Sequence, residues 1–228
     1  MTVFVLNSSK DFPNPEQADD EGLLAIGGDL SSERLINAYK NGIFPWYSED
    51  LPILWWSPNP RCVLFLDKLK ISKSLLQIIK KNIFKIKFDT CFDEVITHCA
   101  TISRKNADES GTWITDDMKK AYITLHELGF AHSVEAFYDN KLVGGLYGVA
   151  IGKAFFGESM FYLMSNASKV AFVSLVKRLQ EWNFDIIDVQ QTSSHMLRFG
   201  AEEIRRSVFL YHLRNAVVKE GHYFKWSL

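Results

Sequence analysis

The sequence has few cysteines and no long hydrophobic run. Its three cysteines, Cys62, Cys91 and Cys99, are odd in number and widely spaced, and no Cys-x-x-Cys motif occurs. This disfavours a disulfide framework and a structural zinc site, so we expect reduced thiols in a bacterial-type cytosol and no bound metal. No apolar run approaches the roughly 18 residues that span a bilayer. No basic segment precedes an apolar stretch at the N-terminus, so we expect neither a membrane span nor a signal peptide.

Proline is absent after residue 60, because all six prolines lie in the first 60 residues, among frequent glycines. These turn formers predict irregular structure around a few strands. One helix is predicted there, from Ser32 to Lys40, with Asp29 or Ser31 as its cap. We therefore predict a small N-terminal domain over residues 1–62 and a second domain over residues 63–228.

Charge of either sign is nearly balanced, with a net charge of −1, which at first argues against a nucleic-acid partner. The balance hides an uneven distribution. The net charge is −5 over residues 1–62, +6 over residues 63–87 and −2 over residues 88–228. The lysine block consists of Lys68, Lys70, Lys73, Lys80, Lys81, Lys85 and Lys87. A solvated helix face is the ordinary interpretation of a charge run. Seven lysines against one aspartate are more positive charge than a solvated helix face requires. This excess favours a phosphate backbone as the partner.

The second domain mixes helical and strand patterns. Helices are predicted at 72–82, 92–101, 115–128, 165–182 and 207–218, and strands at 62–65, 83–89, 131–138, 142–151, 153–162 and 185–189. A polar stretch, 103–111, is predicted to be a mobile loop. Thr115 and Ser165 are the expected caps of their helices. A central antiparallel meander followed by a helix and another strand is the order of an acyltransferase-like α+β domain, so we predict that fold.

Two polar residues interrupt the last of these strands. Asp188 and Gln190 are two positions apart, so they share one face of a strand whose other members are apolar. A carboxylate there is costly unless it is paired or hydrogen-bonded. Two interpretations are open: a catalytic group, or an aspartate that caps the following turn or satisfies a buried backbone group.

Glu158 lies beside Gly157 among large apolar residues in the predicted strand 153–162. Glycine allows a ligand or another backbone to approach closely. A buried polar residue among aromatics favours a functional site. The alternative is a β-bulge that turns Glu158 towards water.

Aromatic residues also occur outside periodic core patterns. They are Tyr39, Trp46, Tyr47, Trp55, Trp56 and Trp113. For most of them a place in the core is the better interpretation, but Trp46 follows Gly42 and Pro45 in a turn-rich segment. Trp46 is therefore the better candidate for a platform on which a base stacks.

Several segments together resemble one family, the leucyl/phenylalanyl-tRNA–protein transferases. They are Gly22-Leu-Leu-Ala-Ile-Gly-Gly-Asp-Leu30, Asn41-Gly-Ile-Phe-Pro-Trp46, Ile53-Leu-Trp-Trp-Ser-Pro58 with Pro60-Arg61, Gly111-Thr-Trp-Ile-Thr115, His126-Glu-Leu-Gly129, Leu142-Val-Gly-Gly145, Gly157-Glu-Ser-Met-Phe161 and Asn166-Ala-Ser-Lys169. The similar segments follow one another in the same order from about Phe12 to Leu213. The segment between Gln190 and the C-terminus is less similar.

The resemblance implies an enzyme that moves Leu or Phe, and less readily Met, from its tRNA to the N-terminal Arg or Lys of a protein. The product is thereby marked for degradation by the bacterial N-end rule. The family uses no metal or nucleotide cofactor. Its fold is a small N-terminal domain joined to an acetyltransferase-like domain. We expect a cytoplasmic monomer whose partners are aminoacyl-tRNA and acceptor proteins.

The resemblance also implies roles for particular residues. Asp188 and Gln190 match the catalytic Asp-x-Gln pair, and Glu158 matches the active-site glutamate. Trp46 and Trp113 would enclose the terminal adenine of the tRNA, and Tyr39 joins the substrate-binding set. The aminoacyl side-chain pocket would be lined by Leu146, Phe155, Met160, Phe172 and Ile187. From the lysine block we assign Lys80, Lys81 and Lys85 to tRNA binding.

The chemistry of these residues suits an activated ester. We hypothesise that Asp188 orients and polarises the system, Gln190 hydrogen-bonds the attacking amine and Glu158 helps to hold the cationic acceptor. Two other classes stay open. A coenzyme A-dependent acyltransferase lacks support because no Q/R-x-x-G-x-G/A loop opens a helix. A tRNA-binding module without activity would explain the lysines and Trp46 but not the Asp-x-Gln face.

Overall fold

The structure is a computed structural model that describes residues 3–101 and 114–226. Its N-terminal elements are β1 (Phe4–Leu6), β2 (Leu23–Gly27), α1 (Ser32–Lys40), β3 (Phe44–Pro45) and β4 (Leu54–Trp56). Their strands form one sheet in the order β1-β2-β4-β3, in which β1 runs parallel to β2. The predicted helix is confirmed, with Ser31 as its N-cap. The Ser31 side chain makes no capping bond, and its N–H donates instead to Asp29 Oδ1 at 2.9 Å.

The remaining elements follow residue 60. They are β5 (Arg61–Phe65), α2 (Lys73–Lys81), β6 (Lys85–Phe88), α3 (Phe92–Thr101), α4 (Asp116–Glu127), β7 (Ala131–Tyr138), β8 (Lys141–Ile151), β9 (Ala154–Tyr162), α5 (Ala167–Glu181), β10 (Ile186–Gln190), α6 (Ser194–Arg198), β11 (Glu202–Ile204) and α7 (Arg206–Val217). The predicted cap of α4 is confirmed, because the Thr115 side chain accepts the Met118 N–H at 3.2 Å.

The larger sheet has the order β11-β5-β10-β9-β8-β7-β6 within the described residues. Strands β6 to β9 form an antiparallel meander, and α5 then carries the chain over to β10, which runs parallel to β9. Asp139 and Asn140 both have positive φ at the β7–β8 turn, as the tight primed hairpin turns require. A meander followed by a helix and another strand is the chain order that the sequence predicts, so the α+β fold with a mixed sheet is confirmed.

The two parallel strands separate after a short ladder. Their register pairs Ile186 with Ala154 and Asp188 with Phe156, and the described ladder ends there while β9 continues to Tyr162. The pairing of β8 with β9 shifts between Tyr147 and Gly148, and Glu158 is the extra residue of β9 at that shift. Residues 157–160 are only half-buried. The divergence of β9 and β10 therefore leaves an opening in the sheet next to Glu158.

Helices cover both sides of this sheet. One side, which we call the α4 face, packs on α1, α3, α4 and α7, and the buried cluster there runs into the N-terminal sheet through Leu24 and Trp55. The other side, the α5 face, packs on α2 and α5 and includes the buried Trp226. Alternate residues of β9 point to opposite faces, so Phe155 lies on the α5 face and Phe156 on the α4 face.

Some expectations need correction or stay open. The prediction that Ser165 caps α5 is wrong, because Asn166 adopts a left-handed backbone with φ of 69° and takes the N-cap position. Helix α6 and strand β11 were not predicted, since elements of five and three residues give no clear periodicity. The predicted loop 103–111 lies outside the described residues, and the domain boundary near residue 62 stays a prediction. Among the helices of the described chain, none is both long and apolar enough to cross a membrane.

Candidate active site

Glu158 lies at the opening between β9 and β10, on the α4 face, where three side chains donate hydrogen bonds to its carboxylate. Tyr39 Oη of α1 donates to Oε1 at 2.8 Å, and Tyr122 Oη of α4 donates to Oε2 at 3.0 Å. Gln190 Nε2 also donates to Oε1, at 2.8 Å. The two tyrosine hydroxyls are themselves in close contact. Four elements of the fold therefore meet at one carboxylate.

The surroundings shift the protonation of this cluster. Desolvation by burial raises the pKa of Glu158 to about 7, against the lowering effect of the hydrogen bonds that it accepts. Burial, and next the charge of Glu158, raise the pKa of both Tyr39 and Tyr122 well above the usual range. Both hydroxyls therefore keep their protons and act as donors, while the carboxylate can gain or lose a proton near neutral pH.

Asp188 does not face the opening. Its side chain is fully buried and forms a two-pronged ion pair with Arg61, from Nε to Oδ1 at 2.8 Å and from Nη2 to Oδ2 at 2.6 Å. Its Oδ1 also accepts the backbone N–H of Gln190 at 2.9 Å. The alternative interpretation of Asp188, as the acceptor of a buried backbone group, therefore describes one of its contacts.

Gln190 joins the two carboxylates. It has a left-handed backbone, with φ of 67°, and follows a register shift of β10 against β5. Its N–H is bonded to Asp188 and its side-chain NH₂ to Glu158. A carboxylate accepts hydrogen bonds, so the NH₂ end of the amide faces Glu158 and the amide oxygen is directed away from it.

The five residues predicted for the aminoacyl pocket come together on the α5 face. Leu146, Phe155, Phe172 and Ile187 are buried in one cluster, and Met160 packs against it half-buried. Phe199 packs against Phe172, with ring centroids 4.8 Å apart. Since Met160 belongs to the half-buried residues after Gly157, this cluster borders the opening from the side opposite to Tyr39.

Trp46 follows β3 and keeps 38% of its surface exposed, which is unusual for tryptophan and leaves a ring available for stacking. The Trp56 ring lies 5.9 Å from it, and Trp56 Nε1 donates to the Trp46 carbonyl at 2.7 Å. Trp113, the other predicted stacking residue, lies outside the described residues.

The lysines assigned to tRNA lie on an outer edge of the molecule. Lys80 and Lys81 end α2, Lys85 begins the edge strand β6, and all three are exposed. Two other members of the lysine block have partners that the sequence did not indicate. Lys68 Nζ lies 2.5 Å from Glu202 Oε1, and Lys87 Nζ lies 4.6 Å from the centre of the Phe137 ring.

Sequence reasoning did not single out Arg61 or Tyr122. Arg61 stands directly before the apolar strand 62–65, and a charged residue at a buried position requires an opposite charge. The position of Arg61 therefore signalled a buried anion, but not which carboxylate it is. Tyr122 follows Met118 by four residues and therefore falls on the apolar stripe of α4, where a tyrosine gives no sign that its hydroxyl has a polar partner.

A metal centre and a separate cavity are the other places where a site could occur. Within the described ranges, no group of three or more His, Cys, Asp or Glu side chains is placed to hold a metal ion. A cavity of about 760 Å³ lies at the far end of β5 and β10, lined by Phe65, Gln180, Phe184, His212 and Lys219 among others. Among the predicted site residues that the structure describes, none lines this cavity, so it is separate from the Glu158 cluster.

Comparison with known proteins identifies the class. The family model described as leucyl/phenylalanyl-tRNA protein transferase matches residues 63–214, and the model of that family's N-terminal domain matches residues 28–59. The leucyl/phenylalanyl-tRNA–protein transferase of Thermodesulfovibrio yellowstonii is 57% identical over 227 residues, covering 100% of this chain and 92% of the relative. The Myxococcus xanthus enzyme of the same name is 50% identical over 229 residues, covering 100% of this chain and 97% of the relative.

Among solved structures, an aminoglycoside acetyltransferase from a soil metagenomic sample matches with 18% identity and a TM-score of 0.38, covering 52% of this chain and 86% of that one. This structural similarity is weak. The family models and the relatives define an acyltransferase that takes its acyl group from aminoacyl-tRNA. The chain belongs to the leucyl/phenylalanyl-tRNA–protein transferase family.

Proposed function

We propose that this enzyme transfers Leu or Phe, and less readily Met, to proteins that begin with Arg or Lys, and so marks them for N-end-rule degradation in the cytoplasm. We propose further that it acts as a monomer without a cofactor. The observation that carries this proposal is the Glu158 carboxylate, held by Tyr39, Tyr122 and Gln190 at the opening beside an apolar cluster.

The donor occupies the apolar side of the opening in this proposal. The exposed ring of Trp46 stacks on the terminal adenine, with Trp113 as its expected partner on the other side of the base. The Leu or Phe side chain enters the cluster of Leu146, Phe155, Met160, Phe172 and Ile187. Apolar fit discriminates by about 1–3 kcal/mol per methylene, so Leu, Phe and Met are accepted, while the β-branched Val and Ile are disfavoured by shape.

The acceptor amine approaches from the Glu158 side. An α-amino group has a pKa of about 7.7–8.0, so much of it is protonated at neutral pH. Glu158, with its pKa raised to about 7, binds the ammonium group and takes up its proton. The amine nitrogen then attacks the ester carbonyl carbon, a new C–N bond forms and the C–O bond to the ribose breaks. The amine nitrogen gives up a further proton as the amide forms, and the ribose oxygen leaves with that proton, while Glu158 later releases the first proton to water. The Gln190 amide oxygen accepts a hydrogen bond from the amine during attack.

The exposed lysines serve the body of the tRNA rather than its reacting end. Lys85 lies three strands from β9 and about five residues away from Glu158 along the strand direction. Strand spacing and rise place it about 20 Å from Glu158. That separation exceeds the Debye length of about 10 Å in ordinary salt, so these lysines act on distant phosphates and not on the ester.

The decisive experiment measures transfer of labelled Phe from Phe-tRNA to a peptide with N-terminal Arg, beside the same peptide with N-terminal Ala. We expect a labelled Arg-peptide and an unlabelled Ala-peptide. Labelling of both peptides would contradict the acceptor specificity, and tRNA binding without transfer would favour a binding module. Acetyl-coenzyme A in place of Phe-tRNA tests the remaining class, and we expect no acetylated peptide.

A further inference from the structure

Arg61 is a deeply buried cation beside the candidate site, with 1% of its surface exposed. It begins β5, next to β10 in the sheet. The guanidinium lies between two phenyl rings, 4.8 Å from the centre of Phe44 and 4.7 Å from that of Phe209. These rings come from β3 and α7, so the N-terminal sheet and the last helix both fix the position of this charge.

The ion pair with Asp188 joins two guanidinium nitrogens to both carboxylate oxygens. Arg61 Nε and Nη2 each donate to a different carboxylate oxygen, at 2.8 and 2.6 Å. Such two-point pairing fixes the orientation of the carboxylate as well as its place, which a lysine cannot do. Asp188 Oδ1 is thereby directed at the backbone N–H of Gln190, 2.9 Å away.

The third link is the backbone of Gln190. A non-glycine residue with a positive φ is strained and persists where its surroundings hold it. The hydrogen bond to Asp188 is such a restraint, because a buried N–H without a partner is destabilising. The same residue places its side-chain amide 2.8 Å from Glu158. The position of that amide therefore depends on Asp188, and the position of Asp188 depends on Arg61.

We propose that Arg61 is a positioning residue of the transfer reaction, which acts through Asp188 to hold Gln190 against Glu158. The inference rests on the proposed function of Gln190 and Glu158. Asp188 in this arrangement contacts neither substrate. Its side chain has no exposed surface, and its oxygens already accept three hydrogen bonds. The proton of the acceptor amine therefore goes to Glu158.

The test compares Arg61→Met, Asp188→Asn and the double variant. Each single change leaves one buried charge without its partner, which is strongly destabilising. The double variant removes both charges, and the amide oxygen that Asp188→Asn introduces can still accept the Gln190 N–H. We therefore expect each single variant to lose kcat and thermal stability, and the double variant to exceed either single variant by at least about tenfold in kcat. A double variant that folds but is no more active than Asp188→Asn would overturn the proposal, because removing Arg61 cannot replace a lost catalytic carboxylate.

Arg61→Lys keeps the buried charge, so it tests the proposal even if the other variants fail to fold. A single ammonium cannot hold both oxygens, so we expect kcat to fall about tenfold, which is the effect of about 1.4 kcal/mol on the barrier. We expect KM for the aminoacyl donor to stay unchanged, since the apolar pocket cluster is untouched. We also expect the pH profile of kcat to keep the midpoint of its acid limb, since Glu158 is untouched. Wild-type kcat in Arg61→Lys, or a shifted midpoint, would contradict the positioning role.

Wild-type transfer to the Arg-peptide is measured in the same series. If the wild-type enzyme fails to transfer, the proposed acceptor is wrong. If it transfers while the double variant is not restored, the assignment of Arg61 is wrong. The two failures are therefore distinguishable.

Discussion

The two faces of the seven-stranded sheet differ in how they use charge. On the α4 face, Arg61 and Asp188 form a buried ion pair, and the half-buried Glu158 accepts three hydrogen bonds. On the α5 face, the candidate pocket is apolar, and the charge lies outside it on the exposed Lys80 and Lys81 of α2. Buried charges act through position and are little affected by salt, whereas exposed charges act through a field that salt screens. We therefore expect the α4 face to govern chemistry and the α5 face to govern recognition of the aminoacyl side chain.

The largest effect is expected from Glu158→Gln, which removes the proton acceptor but keeps the size of the side chain. We expect kcat to fall by about 10²–10⁴, the usual contribution of general base catalysis, with a small change in KM for the donor. Single-turnover transfer of Phe to an Arg-peptide measures it.

The matched control is Glu135→Gln. Glu135 is another glutamate of this sheet, buried on β7, and it accepts hydrogen bonds from Ser133 and Thr90 instead of the tyrosines. We expect it to change stability and leave transfer per folded molecule intact. Equal losses of kcat in both variants would remove the distinction between Glu158 and any other buried carboxylate.

The second effect concerns stability and pH. Folding raises the pKa of Glu158 from 4.5 to about 7, so the folded chain binds this proton more tightly than the unfolded chain does. The ionised carboxylate therefore lowers stability by an amount that is absent below about pH 4.5, grows towards pH 7 and is constant above it. The upper limit is about 3 kcal/mol, reduced to the extent that water reaches the half-buried side chain.

Urea unfolding of Glu158→Gln and wild type at pH 5 and pH 8 measures this cost. We expect the free energy of unfolding of the variant to exceed that of wild type by more at pH 8 than at pH 5. A difference that is the same at both values would show that folding does not raise the pKa of Glu158.

The contrast between the faces also explains what could be predicted from the sequence. The meander, the β10 strand and the apolar residues Leu146, Phe155 and Ile187 follow from local periodicity and turn residues, which the sequence carries directly. The approach of Tyr39, Tyr122 and Gln190 to Glu158 joins residues up to 119 positions apart. No local pattern encodes such a contact. Arg61 shows the intermediate case, since its burial implies an anion, but the sequence does not say which one.

The third effect is expected at the lysines. Replacing Lys80, Lys81 and Lys85 together by Gln removes three exposed charges. We expect weaker binding of aminoacyl-tRNA, about tenfold in ordinary salt, and a shallower dependence of log K on log salt by about two to three units. Transfer from a minimal aminoacyl-adenosine donor should be unchanged, because the donor has no distant phosphates.

The control replaces Lys40, Lys120 and Lys225, which are also exposed and lie outside the lysine block. We expect this triple variant to keep the tRNA affinity and the salt slope of wild type. If both triple variants weaken binding equally, general charge rather than the α2–β6 surface attracts the tRNA. If the block variant loses activity on the minimal donor as well, the separation of recognition from chemistry fails.

The smallest effect is a change of selectivity. Leu146→Ala removes three carbon atoms from the candidate pocket, and Leu125→Ala makes the same change at a similarly buried position of α4 on the other face. Each should lower the free energy of unfolding by about 2–5 kcal/mol. We expect Leu146→Ala alone to raise the ratio of kcat/KM for Phe over Leu donors, by about fivefold, since the enlarged space favours the larger side chain by about 1 kcal/mol. Competition between Phe-tRNA and Leu-tRNA measures the ratio. The same shift in both variants would mean that loosening of the core, rather than contact with the donor, sets the preference, and the α5 face would lose its proposed role.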